Sequence, residues 1–265
     1  MVIPREHGAW GMMLVPLATG AIVAAGAGIN FSALALFVLA ALALFWMRTP
    51  VEAWLGTSAI KAQTPGERAA VLRVSLLLAM LALATIVSLF ATGYSRGLVL
   101  IGAAAAGAFA VQALVKGLGR SGRMPAQVIG AIGLTASAAG AYYVSTGRLD
   151  RVAGALWLAN WLFAGNQVHF VQVRIRGSRL AGFAAKVRQA YGFLAGQLLV
   201  LVIVLSLTWR GVLPKPAVLA FVPALLRAFL WFVRGPHPLD VHKLGFSELA
   251  QALIFGALLC VAFLV

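Results

Sequence analysis

Cysteine, histidine and acidic residues are scarce in this chain: one, four and six, respectively, among 265 residues. The lone cysteine, Cys260, lies in the last apolar run, so neither a disulfide framework nor a cysteine-based metal cage can be assembled within one chain. His7, His169, His237 and His242 offer no ready-made ligand pair by spacing, and a metal or haem site would require the fold to gather them. The sequence has no His-Glu-x-x-His helix, phosphate loop, nucleophile elbow or dinucleotide fingerprint. Only 10% of the residues are charged, against about 25% in soluble domains, so the chain cannot cover itself with a solvated surface.

What is present is apolar. Hydrophobic residues make up 62% of the chain and the mean hydropathy is +0.98. A bilayer core needs about 20 mostly apolar residues per helix, because lipid offers an unpaired backbone no hydrogen-bond partner. Apolar runs separated by charged or Gly/Pro-rich breaks predict spans at 9–26, 31–47, 74–93, 97–115, 125–145, 152–173, 190–209, 216–233 and 246–265. A transmembrane barrel would alternate apolar and polar residues, whereas the stretch 76–89 is apolar on every side. The first run, preceded by Glu6 and His7 and followed by many further spans, reads as a retained helix rather than a cleaved leader.

The net charge of +15 is distributed by topology. With nine spans, one side carries 15 Lys and Arg: Arg5, Arg48, Lys61, Arg68, Arg73, Lys116, Arg120, Arg123, Arg174, Arg176, Arg179, Lys186, Arg188, Arg234 and Lys243. The other side carries five, namely Arg96, Arg148, Arg151, Arg210 and Lys215, and Arg227 falls inside a span. Cytoplasmic loops retain Lys and Arg, so this bias predicts an N-terminus inside and a C-terminus outside. It also accounts for the basic charge without nucleic acid as a partner. The inner loops are the long ones, roughly 25 residues at 48–73 and about 15 at 174–188, which points to function on that side. Residues 53–59 read as an amphipathic surface segment, with Trp54 and Leu55 toward lipid.

Five of the six acidic residues, Glu6, Glu52, Glu67, Asp240 and Glu248, fall on this inner side. Glu6 and His7 stand at the start of span one, Arg48 and Glu52 at the end of span two, and Asp240 and Lys243 before span nine; end-anchoring and ligand binding both explain such groups. In span six, Asn166, His169, Gln172 and Arg176 recur at helical spacing and predict one polar face. That face either lines a wet cavity or bonds to neighbouring helices. Arg227 lies within span eight, where an arginine costs about 2.5–3.5 kcal/mol on insertion scales, and Glu248 is its expected counter-charge.

Pro4-Arg5-Glu6-His7-Gly8-Ala9-Trp10, followed by Pro16, resembles the YwiC-like family of bacterial membrane proteins, and length and hydropathy agree over nearly the whole chain. A more distant resemblance is to the UbiA-type intramembrane prenyltransferases. It is carried by the stretch from Arg120 through Pro125, Gly140 and Tyr143 to Thr146-Gly147-Arg148-Leu149. That resemblance implies nine helices, an inside N-terminus, and two aspartate-rich motifs, after helices two and six, that hold Mg²⁺ and an isoprenoid diphosphate. This chain departs from it. The first position reads Arg48-Thr49-Pro50-Val51-Glu52, and the second, Asn166 to Arg174, has no carboxylate, whereas magnesium wants oxygen ligands and charge. Arg48, Arg174 and Arg176 offer direct anion binding instead.

The expectation is therefore an all-α polytopic membrane protein, one integral domain over residues 1–265, built as a nine-helix UbiA-like bundle in the bacterial cytoplasmic (inner) membrane. The expected ligand is an isoprenoid, a quinone or an anionic lipid, held in a cytoplasm-facing intramembrane cavity without standard Mg²⁺ chemistry. The candidate lining residues are Glu6, His7, Arg48, Glu52, Asn166, His169, Gln172, Arg174, Arg176, Arg227, Asp240, Lys243 and Glu248. Two alternatives stand beside it: a divergent UbiA-type prenyltransferase or other group transferase, with Glu6 and Glu52 replacing the aspartates, and a non-catalytic partner or assembly factor of a respiratory membrane complex.

Overall fold

The computed structural model describes residues 7–55, 62–119, 122–178, 180, 182–235 and 239–265, with side chains for all but 7–9 and 123. These residues form nine α-helices: α1 His7–Ala25, α2 Phe31–Trp54, α3 Pro65–Leu89, α4 Ser95–Lys116, α5 Arg123–Thr146, α6 Arg151–Arg176, α7 Phe183–Trp209, α8 Ala217–Val233 and α9 Val241–Leu264. The stretches Phe31–Trp54, Pro65–Lys116, Met124–Thr146, Phe183–Trp209 and Val241–Leu264 are long and apolar enough to cross a membrane. The second of these holds both α3 and α4, joined by the π-helical segment Phe90–Tyr94, in which Gly93 takes a positive φ of 98° that suits glycine alone. Trp10–Ala25 and Ala217–Val233 are shorter apolar helices, and buried amides break the apolar run of the continuous helix α6. The chain is an all-α polytopic membrane protein.

Every apolar run of the sequence is a helix, the Ala/Gly-rich fourth and the polar-ended sixth included. Several helices outrun their apolar cores. The long inner loop at 48–73 shrinks to 55–64, because α2 continues through Pro50 to Trp54 and α3 begins at Pro65. A capping box fixes that start: Thr64 Oγ1 accepts from the Glu67 N–H at 3.2 Å and the Glu67 carboxylate accepts from the Thr64 N–H at 3.1 Å. The Gln63 N–H donates to the same carboxylate at 2.8 Å. Asn30, Asp150 and Asp240 cap α2, α6 and α9 through side-chain oxygens that accept from first-turn N–H groups. The loop 174–188 likewise shortens to 177–182. Of the surface segment expected at 53–59, Ala53 and Trp54 belong to α2, Leu55 is its cap, and the rest lies outside the described residues.

Packing is organised around α5 and α6. α5 lies against α1, α2, α4 and α6, whereas α6 also meets α1, α7, α8 and α9. α1 and α9 run parallel, with Gly11 near Leu249, Gly256 against Val15, and Gly26 against Leu264. α1 presses so closely on α5 that a methyl group on Gly20 would collide with the Ala138 backbone. Trp157 and Trp161 of α6 donate to the carbonyls of Ile132 and Val128 at 2.9 and 3.0 Å, tying α6 antiparallel to α5. One end of the bundle thus gathers the N-termini of α1, α7 and α9 with the C-termini of α2, α6 and α8.

Candidate functional site

The polar groups buried near that end belong mainly to α6, α7, α8 and α9. Arg227 donates through Nη1 to Glu248 Oε1, and the two side chains are 15% and 9% exposed. Arg227 lies six residues before the end of α8 and Glu248 seven after the start of α9, so both sit about 9–10 Å inside their helix ends. The guanidinium carbon stacks 4.0 Å from the centroid of Phe170 on α6. Gln167, one turn back, donates to the Glu248 carbonyl at 2.7 Å. Arg174 follows Phe170 by one turn on α6. The pair is nevertheless incompletely satisfied. Arg227 Nε and Nη2, Glu248 Oε2 and, three residues along α9, Gln251 Oε1 are buried without a hydrogen-bond partner.

Lys186 supports this arrangement from α7. Its side chain is 2% exposed, and Nζ donates to the Trp231 carbonyl at 2.8 Å and to the Arg234 carbonyl, closing the C-terminus of α8, with the Trp231 ring 5.0 Å away. A cation there satisfies carbonyls that α8 leaves free and complements its dipole. Arg227 itself is held by Phe170 of α6 and Glu248 of α9, while Lys186 of α7 holds the end of its helix.

The polar residues of α6 do not form one face. Asn166 donates to Gln197 of α7 at 2.8 Å, and His169 packs edge-on to Phe193 of α7 with ring centroids 5.0 Å apart. Gln172 instead donates to Gln127 of α5 at 3.1 Å, and Arg176 is exposed at the helix end. Helix-to-helix hydrogen bonding therefore accounts for much of the stripe, because each amide finds the neighbour its own direction offers. Asn166 Oδ1 remains buried and unpartnered. Separately, Asn160 donates to Thr19 of α1 at 3.0 Å beside a water-sized crevice between α1, α6 and α9.

The other candidates lie apart. Arg48 and Glu52 pair with one another across one turn of α2 at 2.9 Å, both partly exposed. α2 packs on α3 and α5, and Trp10 of α1 sets its ring 4.9 Å from Phe45 and 6.4 Å from Trp46. Since Gly11 on the next position of α1 faces Leu249 of α9, α1 stands between the Arg48–Glu52 pair and Glu248. Among the described residues, the sequence candidates do not line a single cavity; packing through α1 and α5 separates them into two groups. Asp240 caps α9, where the Lys243 N–H, donated at 3.1 Å, holds its exposed carboxyl below the usual range. The Lys243 ammonium lies 3.7 Å from it. Glu6 and the side chain of His7 lie outside the described residues.

The donor set does not fit a magnesium-bound diphosphate. At the first UbiA-type position the one carboxylate, Glu52, is engaged by Arg48, and at the second the residues are amides and an imidazole directed at α5 and α7.

The family model described as YwiC-like protein matches residues 3–144, more than half of the chain. The chain belongs to the YwiC-like family. The YwiC-like match runs through α1 to α5, so the Arg227–Glu248 cluster on α8 and α9 stands beyond the matched residues of this YwiC-like protein. No curated protein matches the chain.

Sequence reasoning named Arg227 and Glu248 but missed Gln197, Gln251, Lys186 and Phe170. The two glutamines carry a usable signal, since an amide inside a span requires a partner. Lys186 reads like the topological arginines of its loop, and Phe170 like any core aromatic.

Proposed function

We propose that this protein binds an amphipathic membrane ligand, an isoprenoid, quinone or anionic lipid, by its headgroup at the Arg227–Glu248 cluster. The end of the bundle that holds the cluster faces the cytoplasm, and the membrane is the bacterial inner one. One observation carries the reading: a buried ion pair between α8 and α9 keeps two guanidinium nitrogens and one carboxylate oxygen without protein partners. In a low-dielectric bundle such atoms cost about 1–3 kcal/mol each unless something bonds them. A structural pair would be expected to satisfy itself, so the free atoms favour a ligand. The bilayer supplies amphipathic molecules to helix crevices at high local concentration, and intramembrane ionisable groups commonly mark such sites. The 15 basic residues on this side supply the orientation.

Native mass spectrometry of the protein extracted in mild detergent tests the reading. A single lipid-sized adduct of constant mass, surviving activation that strips detergent, is expected. Bare protein, or a featureless ladder of weakly held lipids, would sink it.

A further inference from the structure

The free atoms of the cluster are of two kinds. Arg227 uses Nη1 for Glu248, which leaves its Nε–H and Nη2–H edge, a planar two-donor fork matched to two oxygens of one phosphate or carboxylate. Glu248 Oε2 and Gln251 Oε1 are acceptors, and they call for donors. Charge selects further. Arg227 and Glu248 cancel, whereas Arg174, one turn beyond Phe170 on the same side of α6, adds a positive charge beside the cluster. A quinone carbonyl would fill one donor and leave the second nitrogen and the positive charge unanswered. An isoprenoid alcohol supplies no anion. A zwitterionic ethanolamine headgroup brings phosphate and ammonium together and adds no net charge.

Resting on the lipid-binding reading above, we infer that the ligand is an anionic phospholipid with a hydroxylated headgroup, its phosphodiester oxygens on the Nε/Nη2 edge of Arg227 and its hydroxyls donating to Glu248 Oε2 and Gln251 Oε1. Phosphatidylglycerol has this chemistry: one negative charge, two free phosphate oxygens and two hydroxyls. The Phe170 ring beneath the guanidinium keeps the fork in one plane, which a lysine ammonium cannot reproduce.

The test uses the full-length protein in nanodiscs of phosphatidylglycerol, phosphatidylethanolamine or phosphatidylcholine, and in detergent with inorganic phosphate alone, with retained lipid read by native mass spectrometry. Wild type is expected to retain phosphatidylglycerol about tenfold over the other two lipids, a preference within the range of one charge-assisted bidentate contact. Arg227→Lys, which keeps the charge opposite Glu248 and removes the fork, is expected to bring that ratio close to one. Glu248→Gln with Gln251→Leu leaves Arg227 in place and is expected to reduce the preference over phosphatidic acid, offered in a fourth nanodisc and carrying the phosphate without the glycerol hydroxyls. If lipid is retained with equal ratios in wild type, the headgroup assignment fails and the lipid-binding reading stands. A preference unchanged in both variants likewise overturns the assignment to these side chains. No retained lipid in any nanodisc removes the reading itself. Phosphate that displaces phosphatidylglycerol completely at millimolar concentration would identify a soluble phosphate ester as the source.

Discussion

A charge buried among helices answers to its partner more than to its own identity, and Arg227 and Glu248 illustrate how. Each satisfies one atom of the other. Deleting one member leaves the second uncompensated, which costs about 3–5 kcal/mol in buried pairs, whereas replacing both with apolar residues of similar volume is commonly neutral or stabilising. Glu248→Leu is therefore expected to lower unfolding stability in detergent by about 3 kcal/mol, and Arg227→Met together with Glu248→Leu to recover most of that loss. Thermal or denaturant unfolding of the three variants reads it; a double variant as weak as the single one would show that the pair itself holds α8 to α9. At this scale the sequence was legible wherever a residue type was costly in lipid. Arg227 stood out in an apolar run, and Glu248 was the only acidic residue in span nine. Phe170 and Lys186 did not stand out, since their roles depend on what the fold sets opposite them.

Helix positions were legible to within a few residues, because a run of apolar side chains has no other stable form in a bilayer. Helix ends were less so. Arg48 and Glu52 looked like loop residues because they are charged, yet α2 carries them as an i, i+4 pair beyond its apolar core. The contacts between helices were the least legible. A glycine in an apolar run reads alike whether it faces lipid or a backbone. Gly20 and Gly102 separate the two cases. A methyl at Gly20 meets the Ala138 backbone, which cannot move without shifting α5, whereas nothing lies within 4 Å of a methyl at Gly102 on α4. Gly20→Ala is expected to reduce the folded yield and the melting temperature, as overpacking of this kind costs about 1–3 kcal/mol. Gly102→Ala is expected to be neutral or to stabilise by about 0.5–1 kcal/mol, the helix-interior difference between the two residues. Equal melting temperatures for both variants would mean that α1 and α5 are farther apart than described.

For the whole molecule, charge counting and packing converge from independent directions. The Lys and Arg bias reads only which side of the bilayer each connection occupies. The contacts read only which helix ends lie together: α1 runs parallel to α9, α6 antiparallel to α5 and α7, and α8 antiparallel to α7. Both give alternating passes, with the N-termini of α1 and α9 at the basic end and Val265 at the other. The contacts leave open which end is inside the cell, and the Lys and Arg bias predicts the basic one. Cys260 is buried, so Cys260→Ser supplies a background without accessible thiol for labelling. Single cysteines at Arg148 and Arg210 are expected to react with a membrane-impermeant maleimide in intact cells, and those at Arg176 and Asp240 only after permeabilisation. The reverse pattern would invert the protein and place the Arg227–Glu248 cluster toward the outer leaflet. A mixed pattern within either pair would mean that one helix does not cross, and α6 is the first to question, because its buried amides give it the least hydrocarbon to offer the bilayer. Protection of Arg176 together with exposure of Arg148 would show that α6 does cross, carried by its packing on α5, α7, α8 and α9 rather than by its own hydropathy.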